Sequence, residues 1–209
     1  MHLDTSKYIL IACEQSGRVR DAFLKNGLSV MSCDIEPTAN PGPHIQDDVR
    51  KYLQLPWLAV IAFPPCTHLA VSGGRYFAKK RADGRQQQAI DFFMDCVNAN
   101  SNYVAVENPV GIMSTVYQKP TQYIQPWQFG YPTTKKTGLW LKGFPPLVPD
   151  VKEQPQIEYI TTRNGVRFSK WYYETELSGK KNRAKMRSLT FQGIANAMAA
   201  QWSPIIQQS

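Results

Sequence analysis

The chain has no apolar run long enough to cross a bilayer, no CxxC pair, no internal repeat and no low-complexity tract. A membrane-spanning helix needs ~20 consecutive apolar residues. The first residues, MHLDTSKYIL, have neither the basic start nor the apolar core of a secretory signal, so the sequence predicts a cytosolic protein. Cys13, Cys33, Cys66 and Cys96 stand 20, 33 and 30 residues apart, which matches no paired-cysteine metal site. Free thiols and no metal are expected. Acidic residues are also few, 16 against 24 Lys+Arg, for a formal net charge of +8. That excess favours an anionic partner, with nucleic acid the first choice. The 209 residues are 43% hydrophobic, with aromatics spread along the whole length, so disorder is excluded and one core-forming domain is expected.

Residues 8–13 (YILIAC) form an apolar run ending in Glu14-Gln15-Ser16-Gly17, after which Val19, Ala22 and Phe23 recur at helical spacing. Ser16 reads as an N-cap and Asn26-Gly27 as the helix stop. A second strand over 28–33 completes a β-α-β unit, with Asp34 at its end. The run 57–63 (WLAVIAF) is continuously apolar, as in a parallel strand covered on both faces, and stops at Pro64-Pro65. A helix over 89–97 and a strand over 103–106 follow, the latter closed by Glu107. These features predict an α/β fold with a Rossmann-like sheet. Its ligand crevice would gather residues 14–17, Asp34, Pro65-Cys66 and Glu107-Asn108 beyond the carboxyl ends of the strands.

Within that crevice Cys66 is the candidate nucleophile, because two prolines hold it at a strand end. Cys13, Cys33 and Cys96 lie inside predicted elements and are assigned to packing. A thiolate beside a carboxylic acid suits attack on an electron-poor carbon with proton delivery to a neighbouring heteroatom, which makes Glu107 the partner.

The series Ser16-Gly17, Asp34, Pro64-Pro65-Cys66, Glu107-Asn108 and Phe129-Gly130-Tyr131-Pro132 resembles the motif order of the DNA cytosine-5 methyltransferases: glycine loop, acid after the second strand, PPC, ENV and FGxPQxRxR. The tail RSLTFQGIANAMAAQW is similar to short members from phages and prophages that lack a large recognition domain. The resemblance implies binding of S-adenosylmethionine, with Gln15, Ser16, Gly17 and Arg18 around its methionine part, Asp34 at the ribose, and Ile35, Pro64 and Asp47 or Asp48 lining the rest. It further implies attack of Cys66 on C6 of an extruded cytosine in DNA, protonation of N3 by Glu107, and Lys135 in place of a base-anchoring Arg.

The chain departs from the family pattern at several points. Val19 and Arg20 stand where further loop glycines are usual, so the loop is expected to pass the cofactor differently. Thr133, Lys135 and Thr137 replace Gln, Arg and Arg, and Pro109 follows Asn108. Residues 1–141 read as the catalytic part, 142–189 as a small basic region and 190–209 as a closing helix that packs back. In the middle part Asn164-Gly165 signals a hairpin, Trp171, Tyr172 and Tyr173 offer stacking surface, and KKNRAKMR supplies Lys180, Lys181, Arg183 and Lys185 for DNA phosphates. Lys79, Lys80 and Arg81, after the Ser72-Gly73-Gly74 loop, are a second expected phosphate clamp. Competing readings keep Cys66 chemistry on RNA or another pyrimidine, or a non-catalytic nucleic-acid-binding protein on the same fold.

Overall fold

The computed structural model describes residues 4–208, except for the side chains of Lys180 and Lys181. Strand β1 (Ile9–Ala12) leads into helix α1 (Arg18–Lys25), then β2 (Val30–Asp34), β3 (His44–Gln46) and β4 (Ala59–Ala62). A 3-10 segment over Val71–Tyr76 runs into α2 (Phe77–Ala82) and α3 (Arg85–Val97). Next come β5 (Val104–Pro109), the short α4 (Met113–Val116), β6 (Gln122–Ile124) and β7 (Thr137–Lys142). The remainder is a hairpin of β8 (Tyr159–Thr161) and β9 (Arg167–Ser169), then α5 (Lys170–Leu177), α6 (Lys180–Ser188) and α7 (Gln192–Ile206).

Seven strands form one sheet in the order β3-β2-β1-β4-β5-β7-β6. The pairs from β3 through to β5 are parallel, whereas β7 runs antiparallel to both β5 and β6. This mixed α/β sheet flanked by helices is compatible with the Rossmann-like arrangement the sequence predicts. Every residue of β1 (ILIA) and β4 (AVIA) is buried. Their alternation divides them between two cores. Ile9, Ile11, Ala59 and Ile61 meet α1 and α7, while Leu10, Ala12, Val60 and Ala62 meet Phe93 and Cys96 of α3. Both faces being covered is the reason these strands read as unbroken apolar runs.

Boundaries shift in informative ways. The α1 N-cap is Gly17, at φ 76°, one residue later than expected; Ser16 instead accepts from the Arg18 amide at 3.2 Å. Helix α3 begins at Arg85 rather than residue 89, and β5 continues through Glu107 to Pro109. The Asn164-Gly165 hairpin forms with Gly165 at φ 76°. KKNRAKMR, expected as a basic run beside that hairpin, is helical as α6. Residues just after β7 belong to the main body: Phe144 and Leu147 share a core with Trp202 of α7, and the Phe144 and Trp202 rings stack at 4.4 Å. No helix among the described residues is long and apolar enough to cross a membrane.

Candidate active site

The strand order reverses between β1 and β4, since β2 and β3 build outward on one side and β5, β7 and β6 on the other. A crevice beyond the carboxyl ends at such a switch point is where open α/β sheets bind ligands. After β1, Cys13 adopts a left-handed φ of 58°, uncommon for a residue with a side chain. Glu14 follows, only 5% exposed. Its Oε1 accepts from the Ser16 hydroxyl and, at 3.4 Å, from the Val19 amide, while Oε2 is buried without a hydrogen-bond partner.

Asp34 ends β2 half-buried, its Oδ1 accepting from the Glu36 amide at 2.9 Å, and burial raises its carboxyl above the ordinary value. Beside it Ile35 is 71% exposed, an apolar surface open to a ligand. The loop between β2 and β3 is shaped by Arg20, whose side chain is fully buried. Its guanidinium donates to the Asn40 carbonyl at 2.8 Å, Thr38 Oγ1 at 3.1 Å and Ser32 Oγ at 3.3 Å, and pairs with Asp21 at 2.7 Å. A Cβ on Gly17 would lie 2.6 Å from this guanidinium, so Arg20 fills the space beside the glycine loop.

Other residues expected at the cofactor are engaged elsewhere. Arg18 donates to the Thr190 carbonyl at 2.9 Å, tying α1 to the start of α7. Asp48 caps the 3-10 turn Val49–Lys51 and pairs with Arg50 at 2.6 Å, which holds its carboxyl below the usual range. Asp47 pairs with Lys51 at 2.7 Å and accepts from Tyr52. Asp47 and Asp48, expected near the adenine, are thus engaged in local capping and ion pairs. The Pro64 carbonyl accepts from Asn108 Nδ2 at 2.8 Å, pinning the end of β4 to β5, and Gln15 accepts through its carbonyl from the Ala39 amide at 2.7 Å.

On the other side of β4, the catalytic candidates come together. Cys66 and Lys135 line one cleft of about 300 Å³, walled further by Val71, Pro109, Trp171, Tyr172 and Arg187. Burial, followed by the nearby Glu107 carboxylate, pushes the Cys66 thiol up, and the ammonium groups of Lys135 and Lys80 oppose this. Burial likewise raises Glu107, against the opposing charge of Lys135 and the Thr137 hydroxyl. Lys135 is therefore the common positive charge for both groups. Its Nζ donates to the Arg187 carbonyl at 2.8 Å. Asn108, only 1% exposed, keeps a buried Oδ1 without a partner.

The antiparallel course of β7 explains the meeting: Glu107 lies opposite Leu139 and Pro109 opposite Thr137, so residues entering β7 arrive where β5 leaves. Thr133, expected at the Gln position, is instead buried and donates to the Ser169 hydroxyl at 2.9 Å. The remaining thiols fit packing roles. Cys33 is buried beside Asp34 and pushed up to about 12. Cys13 is raised by a hydrogen bond with Cys96 and by burial, and Cys96 lies buried in α3. Cys66 differs from Cys13 and Cys33 in having two lysines that oppose its rise.

The expected phosphate contacts divide. Lys79, Arg81 and Lys185 are exposed. Lys80 is not: it is 7% exposed and donates to the Thr67 carbonyl at 2.6 Å, bracing the loop after Cys66, because its position on α2 faces the protein. Arg183 is half-buried and paired with Glu176, so its charge is spent within the α5–α6 unit. The Lys180 and Lys181 side chains lie outside the described residues. Sequence reasoning placed Glu14 in the crevice without giving it a role, and missed Arg187 and Lys136 as lining groups of the Cys66 cleft. Those two enter the cleft through loop and helix orientation, which the sequence does not signal. No protein-family model matches the chain, and no curated protein matches it.

Proposed function

We propose that the protein is an S-adenosylmethionine-dependent methyltransferase acting on C5 of cytosine in DNA. The observation that carries this reading is the convergence of Cys66, Glu107 and Lys135 on one side of the crevice, next to the switch point. The crevice fits the cofactor through the exposed Ile35, the Asp34 carboxylate beside it, and the partnerless buried oxygen of Glu14, which calls for a donor. Gln15, Ser16 and Gly17 would hold the methionine part and Asp34 the ribose hydroxyls. When bound, S-adenosylmethionine supplies an electrophilic sulfonium methyl.

The chain's own residues prepare the base. Deprotonated Cys66 Sγ adds to C6, and the C5=C6 electron pair is released into the ring as Glu107 delivers a proton to N3. C5 thereby gains the electron density that cytosine itself lacks. Loss of the C5 proton after methylation restores the double bond and expels the thiolate. Lys135 stabilises the thiolate while it remains charged. Extrusion of the base from a duplex costs a few kcal/mol, which phosphate contacts and stacking must offset.

The test is incubation with labelled cofactor and DNA, RNA or free cytidine nucleotides. Label in DNA that disappears in Cys66→Ser, with cofactor affinity retained, is the expected result. A 5-fluorocytosine duplex should form a stable adduct, since fluorine cannot leave as a proton does. An adduct on Cys13, Cys33 or Cys96 would refute the choice of thiol. The withdrawal of Thr133 onto Ser169 favours one second reading, the same chemistry on RNA or a substituted pyrimidine; the RNA arm and substituted substrates test it.

A further inference from the structure

Resting on the reading above, we propose that the tip of the β8–β9 hairpin reads a base pair flanking the target cytosine, with Arg163 addressing a guanine edge in the major groove. The tip is open and basic: Arg163, Asn164, Gly165, Val166 and Arg167 are all exposed. The Arg163 side chain has no hydrogen bond or ion pair among the described residues. The nearest acid in the hairpin, Glu158, lies at its base and is paired with Lys170 at 2.9 Å. Nothing at the tip therefore repels a polyanion.

The tip is also rigid, as base readout demands. Thr162 N donates to the Val166 carbonyl at 2.9 Å, Thr162 Oγ1 donates to the same oxygen at 3.1 Å, and Gly165 N donates to the Thr162 carbonyl at 2.9 Å. Arg167 lies 4.2 Å over the Tyr159 ring.

Its position relative to the Cys66 cleft is fixed by a continuous stack. Phe168 of β9 packs on Tyr172 at 5.2 Å with the rings nearly parallel, and the Arg187 guanidinium covers Tyr172 at 3.6 Å. The Arg187 carbonyl in turn accepts from Lys135, the charge shared by Cys66 and Glu107. Because β9 passes directly into α5, Trp171 and Tyr172 line the cleft while the same segment carries the tip. Three paired residues per strand at ~3.3 Å each extend the tip by roughly 10 Å, about three base-pair rises. The major groove admits a two-stranded ribbon, and an Arg fork matches guanine O6 and N7. A single such contact predicts a short recognition sequence.

The experiment uses the full chain and duplexes carrying a target cytosine with randomised flanks, with methylated products sequenced and binding followed by fluorescence anisotropy over a salt series. The unsubstituted protein should prefer guanine at one flanking position. Arg163→Ala should reduce that preference by roughly 5- to 150-fold, and Arg163→Lys should lose most of it too, since the charge remains but the fork is gone. Preference that survives Arg163→Ala, the absence of any flank preference in the unsubstituted protein, or a uniform affinity loss with a shallower salt slope overturns the assignment. Methyl transfer in those cases still supports the methyltransferase reading. Failure of the unsubstituted protein to methylate DNA at all overturns both.

Discussion

Burial raises both Cys66 and Glu107, which favours the protonated acid that addition to C6 needs and opposes the thiolate. The active form pairs the thiolate with the protonated acid, so activity is confined between the two titrations. The profile of kcat/KM against pH, which reports on the free enzyme, should accordingly be bell-shaped. Its acid limb lies above the usual glutamate range and its alkaline limb above the usual cysteine range. Lys135 lowers both groups, so Lys135→Met should displace both limbs to higher pH. Stopped-time assays across a pH series check this; limbs that stay in place would show that Lys135 only braces the Arg187 carbonyl. Glu107→Gln should abolish the acid limb along with most of the rate, while a cofactor titration remains unchanged.

Strand ends and the first β-α-β unit were legible in the sequence because long apolar runs and the stops Asn26-Gly27 and Pro64-Pro65 act locally. The three-residue strands β3 and β6 were not, since so short a segment becomes a strand only through its neighbours. Lys80 reads as a surface cation within a basic run, yet its face of α2 is the inner one, an orientation composition does not carry. Thr133 reads as a base contact and turns inward for a similar reason. Helix α7 was legible as a closing helix, but its tightest approach was hidden. A Cβ on Gly193 would lie 1.8 Å from the Phe129 carbonyl, and Phe191 packs on Tyr131 at 4.8 Å, so α7 buttresses the segment leading to Lys135. Gly193→Ala should therefore destabilise the fold by about 1–3 kcal/mol through overpacking. Denaturant unfolding measures it, and the rate should fall with it. Arg20→Ala should cost about 2–5 kcal/mol by the same measurement, because it empties a fully buried site and takes the donor from the Asn40 carbonyl and the Thr38 and Ser32 hydroxyls.

At the scale of the molecule, the net charge of +8 is unevenly available. Lys79, Arg81 and Lys185 face solvent, whereas Lys80 and Arg183 are occupied within the fold. Replacing the first three together by Ala should make the log–log salt dependence of DNA affinity shallower by up to ~0.9 for each phosphate left unneutralised. Lys80→Ala and Arg183→Ala should leave that slope unchanged and lower the unfolding midpoint; anisotropy titrations and thermal melts separate the two classes. The reversed direction of β7 also bears on which changes of chain length the protein can accept. The segment 125–136 is anchored at one end by the pairing of Ile124 with Thr137 and at the other by the pairing of Pro109 with the same Thr137. A deletion or insertion of one residue that slips β7 turns each of its side chains to the opposite face. Lys135 and Thr137 would then lose their alignment with Glu107 together. Substitutions in this stretch are graded in effect, but single-residue indels there should be all-or-none, while the exposed residues 152–156 should absorb them freely.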